Sequence, residues 1–156
     1  MDKIVLQPAA NQVAQAHYRD TVQQHVSLDR LMAGFGEEQR EDLERLYPGG
    51  SAPVWGVTPS NTGRKERRWR MIEYGDIVLF TGGGEIFASS SITLKTRSPE
   101  LAVDLWGLDD EGKTWEYIYL LDIDATRIEG ALFRFPYEHF AELEVTDGQL
   151  DEVTPR

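Results

Sequence analysis

Val54-Trp55-Gly56-Val57-Thr58-Pro59-Ser60-Asn61 is the stretch on which the reading of this chain turns. Its first four residues make a short strand candidate, and the Thr-Pro-Ser-Asn that follows has the composition of a loop. A tryptophan leaving a strand into such a loop can present its indole face at the rim of a pocket. The segment also marks a change of periodicity, helical before it and strand-like after it.

Upstream, Val13, His17 or Tyr18, Val22 and Val26 recur at helical spacing in a stretch rich in Ala and Gln. Ser27 is a candidate cap for a second helix carrying Leu28, Leu31, Met32 and Phe35, which Gly34 and Gly36 end. A third helix opens with Glu37 and Glu38, carboxylates suited to a positive helix terminus, and carries Leu43, Leu46 and Tyr47 on one face. Pro48-Gly49-Gly50 stops it and gives the best internal boundary.

Downstream, Tyr74-Gly75-Asp76 is a turn into Ile77-Val78-Leu79-Phe80, a run apolar enough for burial on both faces. Thr81-Gly82-Gly83-Gly84 reads as a loop or hairpin turn. Ile86, Ala88, Ser90, Ile92 and Leu94 then alternate to one side, with Phe87 on the other. Ser98 caps a short helix with Pro99 at its first position, running through Ala102, Leu105 and Trp106. Trp115, Tyr117, Tyr119, Leu121 and Ile123 alternate along a further strand, and Pro136 to Leu143 has the pattern of a closing helix. The expectation is an α+β chain: a helical segment over residues 1–50, a curved, mostly antiparallel mixed sheet or small open barrel over 51–146, and a frayed tail over 147–156.

Composition narrows the function. The absence of cysteine excludes disulfides, thiolate metal sites and cysteine nucleophiles. No apolar run approaches a membrane span, and the apolar run near the N-terminus is too short for a signal peptide, so a soluble, cytoplasmic protein is expected. The net charge of −11 argues against non-specific binding to nucleic acid. That charge is unevenly spread. Arg64, Lys65, Arg67, Arg68 and Arg70 stand against Glu66 alone, a net of +4, so the remaining residues carry −15.

Catalytic machinery is not expected. His17, His25 and His139 are far apart, and no HExxH, GxSxG or Walker loop is present. Gly82-Gly83-Gly84 lacks the Lys-Ser/Thr that a phosphate cradle needs. Asp109-Asp110-Glu111-Gly112-Lys113 resembles an acidic nuclease pattern only in composition, and it reads as an exposed turn; metal-dependent cleavage lost on mutating Asp110 or Glu111 is what a nuclease would show. No metal and no cofactor are expected.

What remains points to binding. Asn61 can hydrogen-bond a base edge, Thr58 and Ser60 can do so more weakly, and the cations just downstream can grip phosphates. Trp69, among arginines, can stack on a base or pack beneath their stems. The basic run also fits a merely solvated face. Trp55 and Trp106 fit either a pocket or the core, Trp115 and Tyr117 fit the core or a sheet face, and Phe87 fits a second core layer or a pocket floor. Extracting a base from a duplex costs a few kcal/mol. Stacking on aromatic side chains returns roughly 1–3 kcal/mol per base, so two indole faces can offset that cost.

VWGVTPSN resembles the first-strand motif of the YTH and EVE families of the PUA-like superfold. The order that follows is similar too: YGDIVLF, a Gly loop, EIFASSSI, then SPELAVDLWG and TWEYIYLLD, a pattern seen in DNA-binding modules of modification-dependent restriction systems. The resemblance covers roughly Ser51 to Leu143 and leaves out the N-terminal helices. It implies a PUA-like domain in which Trp55 is the first wall of a modified-base cage, Asn61 contacts the base edge and Trp106 is a second wall. Thr58, Ser60 and Phe87 complete the expected pocket, and Arg64, Lys65, Arg67, Arg68, Trp69 and Arg70 the expected backbone contact. The implied ligand is DNA carrying a methylated or hydroxymethylated base, flipped out of the duplex, with cutting done by a nuclease or motor in another domain or subunit. Two alternatives stay open: a reader of methyladenine in single-stranded RNA, and an acidic adaptor that binds a protein.

Overall fold

A computed structural model of the chain describes residues 3–123 and the backbone of residues 126–127, 135–136 and 151–153. Its first departure from the sequence reading is at the start. Ile4–Pro8 is a strand, β1, and not part of a helix. The run is too short and too continuously apolar for helical amphipathicity, and both Val5 and Leu6 are buried. Residues 1–50, expected as a helical segment, therefore contribute a strand to the main sheet.

Helix α1 (Gln12–His17) begins at Asn11, whose Oδ1 accepts from Ala14 N at 2.8 Å, and continues into a π-helical turn over Tyr18–Gln23. Val26, expected to prolong this helix, instead lies in β2 (Val26–Ser27), which pairs with β3 (Ser51–Ala52). Ser27 caps α2 (Leu28–Leu31) as its sequence suggests, and α3 spans Glu37–Leu46. Then come β4 (Val54–Val57), α4 (Arg64–Met71), β5 (Ile77–Gly82), β6 (Glu85–Arg97), α5 (Pro99–Trp106) and β7 (Tyr117–Leu121). Ser98 Oγ accepts from Leu101 N at 3.1 Å to start α5, with Pro99 at its first turn. The short strands β8 (Thr126–Arg127), β9 (Phe135–Pro136) and β10 (Asp151–Val153) complete the described chain.

Five strands run in the order β1-β5-β6-β7-β4, with β10 outside β1 and with β8 and β9 on β6. β1 and β5 are parallel, in register from Ile4 opposite Ile77 to Pro8 opposite Thr81, and the other pairs are antiparallel. β6 is the pivot of the sheet. Its first half pairs with β5 and its second with β7, and the register shifts between Ile92 and Lys95. Irregularities of this kind bend a strand and increase its twist, which curls the sheet. The curl stops short of closure: among the described residues β4 pairs with β7 alone. The fold is α+β with an open mixed sheet, not a closed barrel.

Alternation along β4 and β7 separates two cores. Val54, Ile118 and Leu120 pack against Leu31, Phe35, Leu43 and Tyr47 of the helical layer. Trp55, Tyr117, Tyr119 and Leu121 face the other side, with Tyr18, Phe80 and Phe87. Phe87 reaches that core through a bulge. Phe80 pairs with Ala88 and Thr81 with Ile86, so Phe87 is left over and the strict alternation expected of this strand breaks.

Two expectations fall largely outside the described residues. Of the closing helix expected from Pro136 to Leu143, only Pro136 is described, and it is paired in β9. Within the tail expected to fray, Asp151–Val153 forms β10 against β1.

Candidate functional site

Where the curled sheet fails to close, a cleft of about 850 Å³ opens along β4. Its floor and walls come from four places: Gln7 and Pro8 at the end of β1, the α1 face from Asn11 to His17, Trp55 to Thr58, and the segment around Trp106 to Trp115. The volume lies within the usual range for small-molecule and cofactor sites, about 300–1,000 Å³.

Three tryptophans and a histidine define its character. Trp55 is only 4% exposed, and its ring packs edge-on against Phe80 at 5.1 Å, so it contributes floor more than wall. Its buried Nε1 has no hydrogen-bond partner among the described residues. Such groups are few in native proteins and call for an explanation. Trp106, half-buried at the end of α5, lies directly over Gly56. A Cβ built on Gly56 would come within 2.6 Å of the Trp106 ring and 2.5 Å of the Trp115 carbonyl oxygen. Glycine is therefore required here for close approach. Trp106 Nε1 donates to Thr21 Oγ1 at 3.3 Å, and Thr21 is anchored in turn, its hydroxyl 2.7 Å from the Val54 carbonyl. The indole is thus held in place by β4 on one side and by the π-helical turn on the other.

His17 sits between two indoles, 5.5 Å from the Trp106 ring and 4.4 Å edge-on from the Trp115 ring. Burial lowers its pKa to about 4, against a small opposing pull from Asp20. The imidazole is therefore neutral near pH 7. The linkage follows from that shift: between pH 6.5 and about 4 the unfolded chain takes up a proton that the folded chain refuses, so stability is complete above 6.5 and falls across this window. Urea midpoints at pH 7 and pH 5 are expected to drop further for the wild type than for His17→Gln. Equal drops would place the acid sensitivity elsewhere.

The residues singled out from sequence divide. Trp55, Thr58 and Trp106 line the cleft, and so does Lys65, whose Nζ donates to Thr58 Oγ1 at 3.3 Å. Ser60, Asn61 and Phe87 do not. Ser60 serves the start of α4: its Oγ accepts from Lys65 N at 3.2 Å, and the buried Glu66 carboxylate reaches back to the Ser60 amide, a reciprocal arrangement like a capping box. Asn61 accepts from Lys113 Nζ at 3.1 Å through Oδ1 and so ties its loop to the turn at 109–113. Phe87 is core, in edge contact with Tyr18 at 5.2 Å.

The basic run is a helix, which its composition alone did not disclose. Arg64, Arg67 and Arg70 lie on its exposed side, Lys65 faces the cleft and Arg68 is half-buried. Trp69 is packed into the sheet. Its Nε1 donates to Ile118 O at 3.1 Å, its ring meets Tyr117 edge-on, and Lys95 Nζ lies 4.6 Å above it. Lys95 also donates to the carbonyls of Trp69 and Arg70, capping the end of α4 with positive charge. Neither Arg67 nor Arg70 forms an ion pair with any described residue.

Sequence reasoning passed over His17 and Trp115. Trp115 was hidden by its alternation with Tyr117, although the strand begins only at Tyr117. Nothing in the sequence signals that His17 meets both indoles, because that contact exists only once α1 is laid across β4. Asp109 and Asp110 also line the cleft, within a turn as expected. Among the described residues no three His, Asp or Glu side chains gather as a metal site, and no helix is long and apolar enough to cross a membrane.

Comparison with known proteins adds three findings. The profile of a family of unknown function (DUF8125) matches residues 117–156. A protein of Halorubrum pleomorphic virus 1, described as uncharacterized protein 7, is 45% identical over 40 residues, which are 26% of this chain and 15% of the viral protein's length. A solved structure described as the N-terminal domain of Thermococcus gammatolerans McrB bound to m5C DNA superposes with a TM-score of 0.64 at 14% identity, covering 99% of this chain and 91% of that one. The likeness is one of fold, and it spans both the helices and the sheet.

Proposed function

We propose that this chain is a non-catalytic reader of DNA carrying a modified base, which it takes into the cleft by flipping the base out of the duplex. The observation that carries the reading is the cleft itself: a space of about 850 Å³ with room for an extracted base, faced by Trp106, Trp115 and His17, with Trp55 at its floor. Aromatic rings facing such a cleft return stacking energy of roughly 1–3 kcal/mol per base.

α4 supplies what an acidic chain otherwise lacks. Lys65 stands at the cleft, and Arg67 and Arg70, on the exposed side of the same helix, form no ion pair with a carboxylate among the described residues. Cations so placed contact the phosphates flanking an extracted base. The McrB domain whose fold this chain shares is, by its description, bound to m5C DNA, which supports the same direction. In this reading the sheet is a PUA-like scaffold of the EVE and YTH kind. The chain acts as the specificity module of a modification-dependent restriction system in the cytoplasm, and a nuclease or motor domain or subunit does the cutting.

Two measurements test it. Binding of the same modified base in deoxy- and ribo-oligonucleotides is expected to favour DNA; a preference for RNA would make this a methyladenine reader that uses the 2′-hydroxyl. Failure to bind either, with retention of a protein partner, would make it an adaptor. Replacing Arg67 and Arg70 together by alanine is expected to weaken binding to modified and plain duplexes alike, and to flatten the dependence of log K on log salt by about 0.9 per lost phosphate contact. An unchanged slope would put the phosphate contacts on another face.

A further inference from the structure

Two large apolar side chains stand exposed at the mouth of the cleft, and the packing of this chain gives no use for either. Leu108 is 61% exposed and Val13 53%, and both belong to the cleft lining, one on the segment after α5 and the other on α1. A single exposed leucine on a surface is unremarkable. This one is different because the backbone that carries it is pinned. Directly after it, Asp109 N donates to Lys113 O at 2.7 Å, and Asp109 Oδ1 accepts from the amides of Glu111 at 2.9 Å and Lys113 at 2.8 Å. Directly before it, Gly107 turns the chain at a φ of 77°, and its carbonyl accepts from Thr114 Oγ1 at 2.8 Å. Lys113 Nζ ties the same turn to Asn61 across the loop that leads into α4. Leu108 is thus exposed on a braced turn, two residues beyond the Trp106 wall, while Val13 lines the cleft from α1.

We infer that Leu108 is the wedge of this site: the side chain that enters the duplex stack at the position vacated by the extracted base, with Val13 of α1 a second apolar contact. The inference rests on the base-flipping reading above. Removing a base leaves an apolar gap whose neighbours have lost their stacking partners. Apolar side chains that insert at such steps offset the unstacking. A leucine on a braced turn suits that task because little backbone freedom remains to be lost on insertion.

The test compares the wild type with Leu108→Ala on two ligands bearing the same modified base, a fully paired duplex and the matching single strand. Leu108 is exposed, so the variant is expected to melt at the wild-type temperature. On the paired duplex it is expected to bind about tenfold more weakly, and Leu108→Phe to bind at least as well as wild type. On the single strand, where no gap needs filling, the Leu108→Ala loss is expected to be much smaller than on the paired duplex. If wild type and Leu108→Ala bind the duplex equally, or if the variant loses as much on the single strand, the wedge is overturned while the reader stands. If the wild type does not distinguish modified from plain DNA in either form, the reader itself fails, and the wedge with it.

Discussion

Trp106→Ala is expected to lower affinity for a modified duplex roughly ten- to hundredfold while leaving binding to plain DNA almost unchanged. The range is what loss of one base-stacking surface is worth. Trp106 is a suitable indole for this test: it is only half-buried, its N–H is already satisfied by Thr21, and Gly56 lets its ring approach β4 closely. Trp55 is a poorer choice for this test. It is 4% exposed and packed on Phe80, and truncating a buried tryptophan costs about 3–5 kcal/mol of stability, which confuses folding with binding. Trp106→Phe is expected to keep most of the discrimination. Paired titrations of both variants, with melting curves as the control, decide the matter. Discrimination intact in Trp106→Ala would remove this ring from the recognition surface.

Gly56→Ala is expected to have the second largest effect, and on two readouts together. The added methyl must displace either the Trp106 ring or the backbone oxygen of Trp115, since its ideal position is 2.6 Å from the first and 2.5 Å from the second. Backbone on one side and a ring held by Thr21 on the other leave little room to yield. Overpacking of this kind costs typically 1–3 kcal/mol. The cleft is expected to lose its modified-base preference as well, because the two groups that must move are part of its wall. Denaturant titration and duplex binding measured on the same preparation test both halves. A variant as stable as wild type with its preference unaltered would mean that the contact is slack.

The parts of the fold legible in the sequence are those set by local chemistry. The Ser27 and Ser98 caps, the stop at Pro48-Gly49-Gly50, the β4 strand and the turn before β5 all depend on near neighbours, and each is found where the residues ask for it. The places where reading failed depend on distant partners. Ile4–Pro8 becomes a strand because β5 offers it an edge, and Val26 leaves its helix because Ala52 pairs with it. Phe87 turns into the core through a bulge that no alternation rule contains. The basic run carried no helical signal because charge masked its periodicity, and only Glu66 folding back to Ser60 shows what starts it.

The candidate site divides in the same way. Trp55, Thr58, Trp106 and Lys65 were legible because an aromatic next to a strand end and a cation just beyond it are chemically conspicuous. Ser60 and Asn61 were equally conspicuous as polar loop residues, but their hydrogen-bonding groups serve the α4 start and the Lys113 tie. His17 and Trp115 needed three dimensions. They reach the cleft from 38 or more residues away on either side of Trp55, and helical or strand periodicity carries no trace of that meeting.

The central claim is that an indole-walled hollow at the open edge of a curled sheet accepts a modified base drawn out of DNA. Its most direct measurement is the affinity of the purified wild-type chain for two duplexes identical except for one modified base, repeated for methylcytosine, hydroxymethylcytosine and methyladenine at a single salt concentration. At least one modification is expected to bind tenfold or more tightly than its plain counterpart. Indistinguishable affinities across all three pairs would contradict the account.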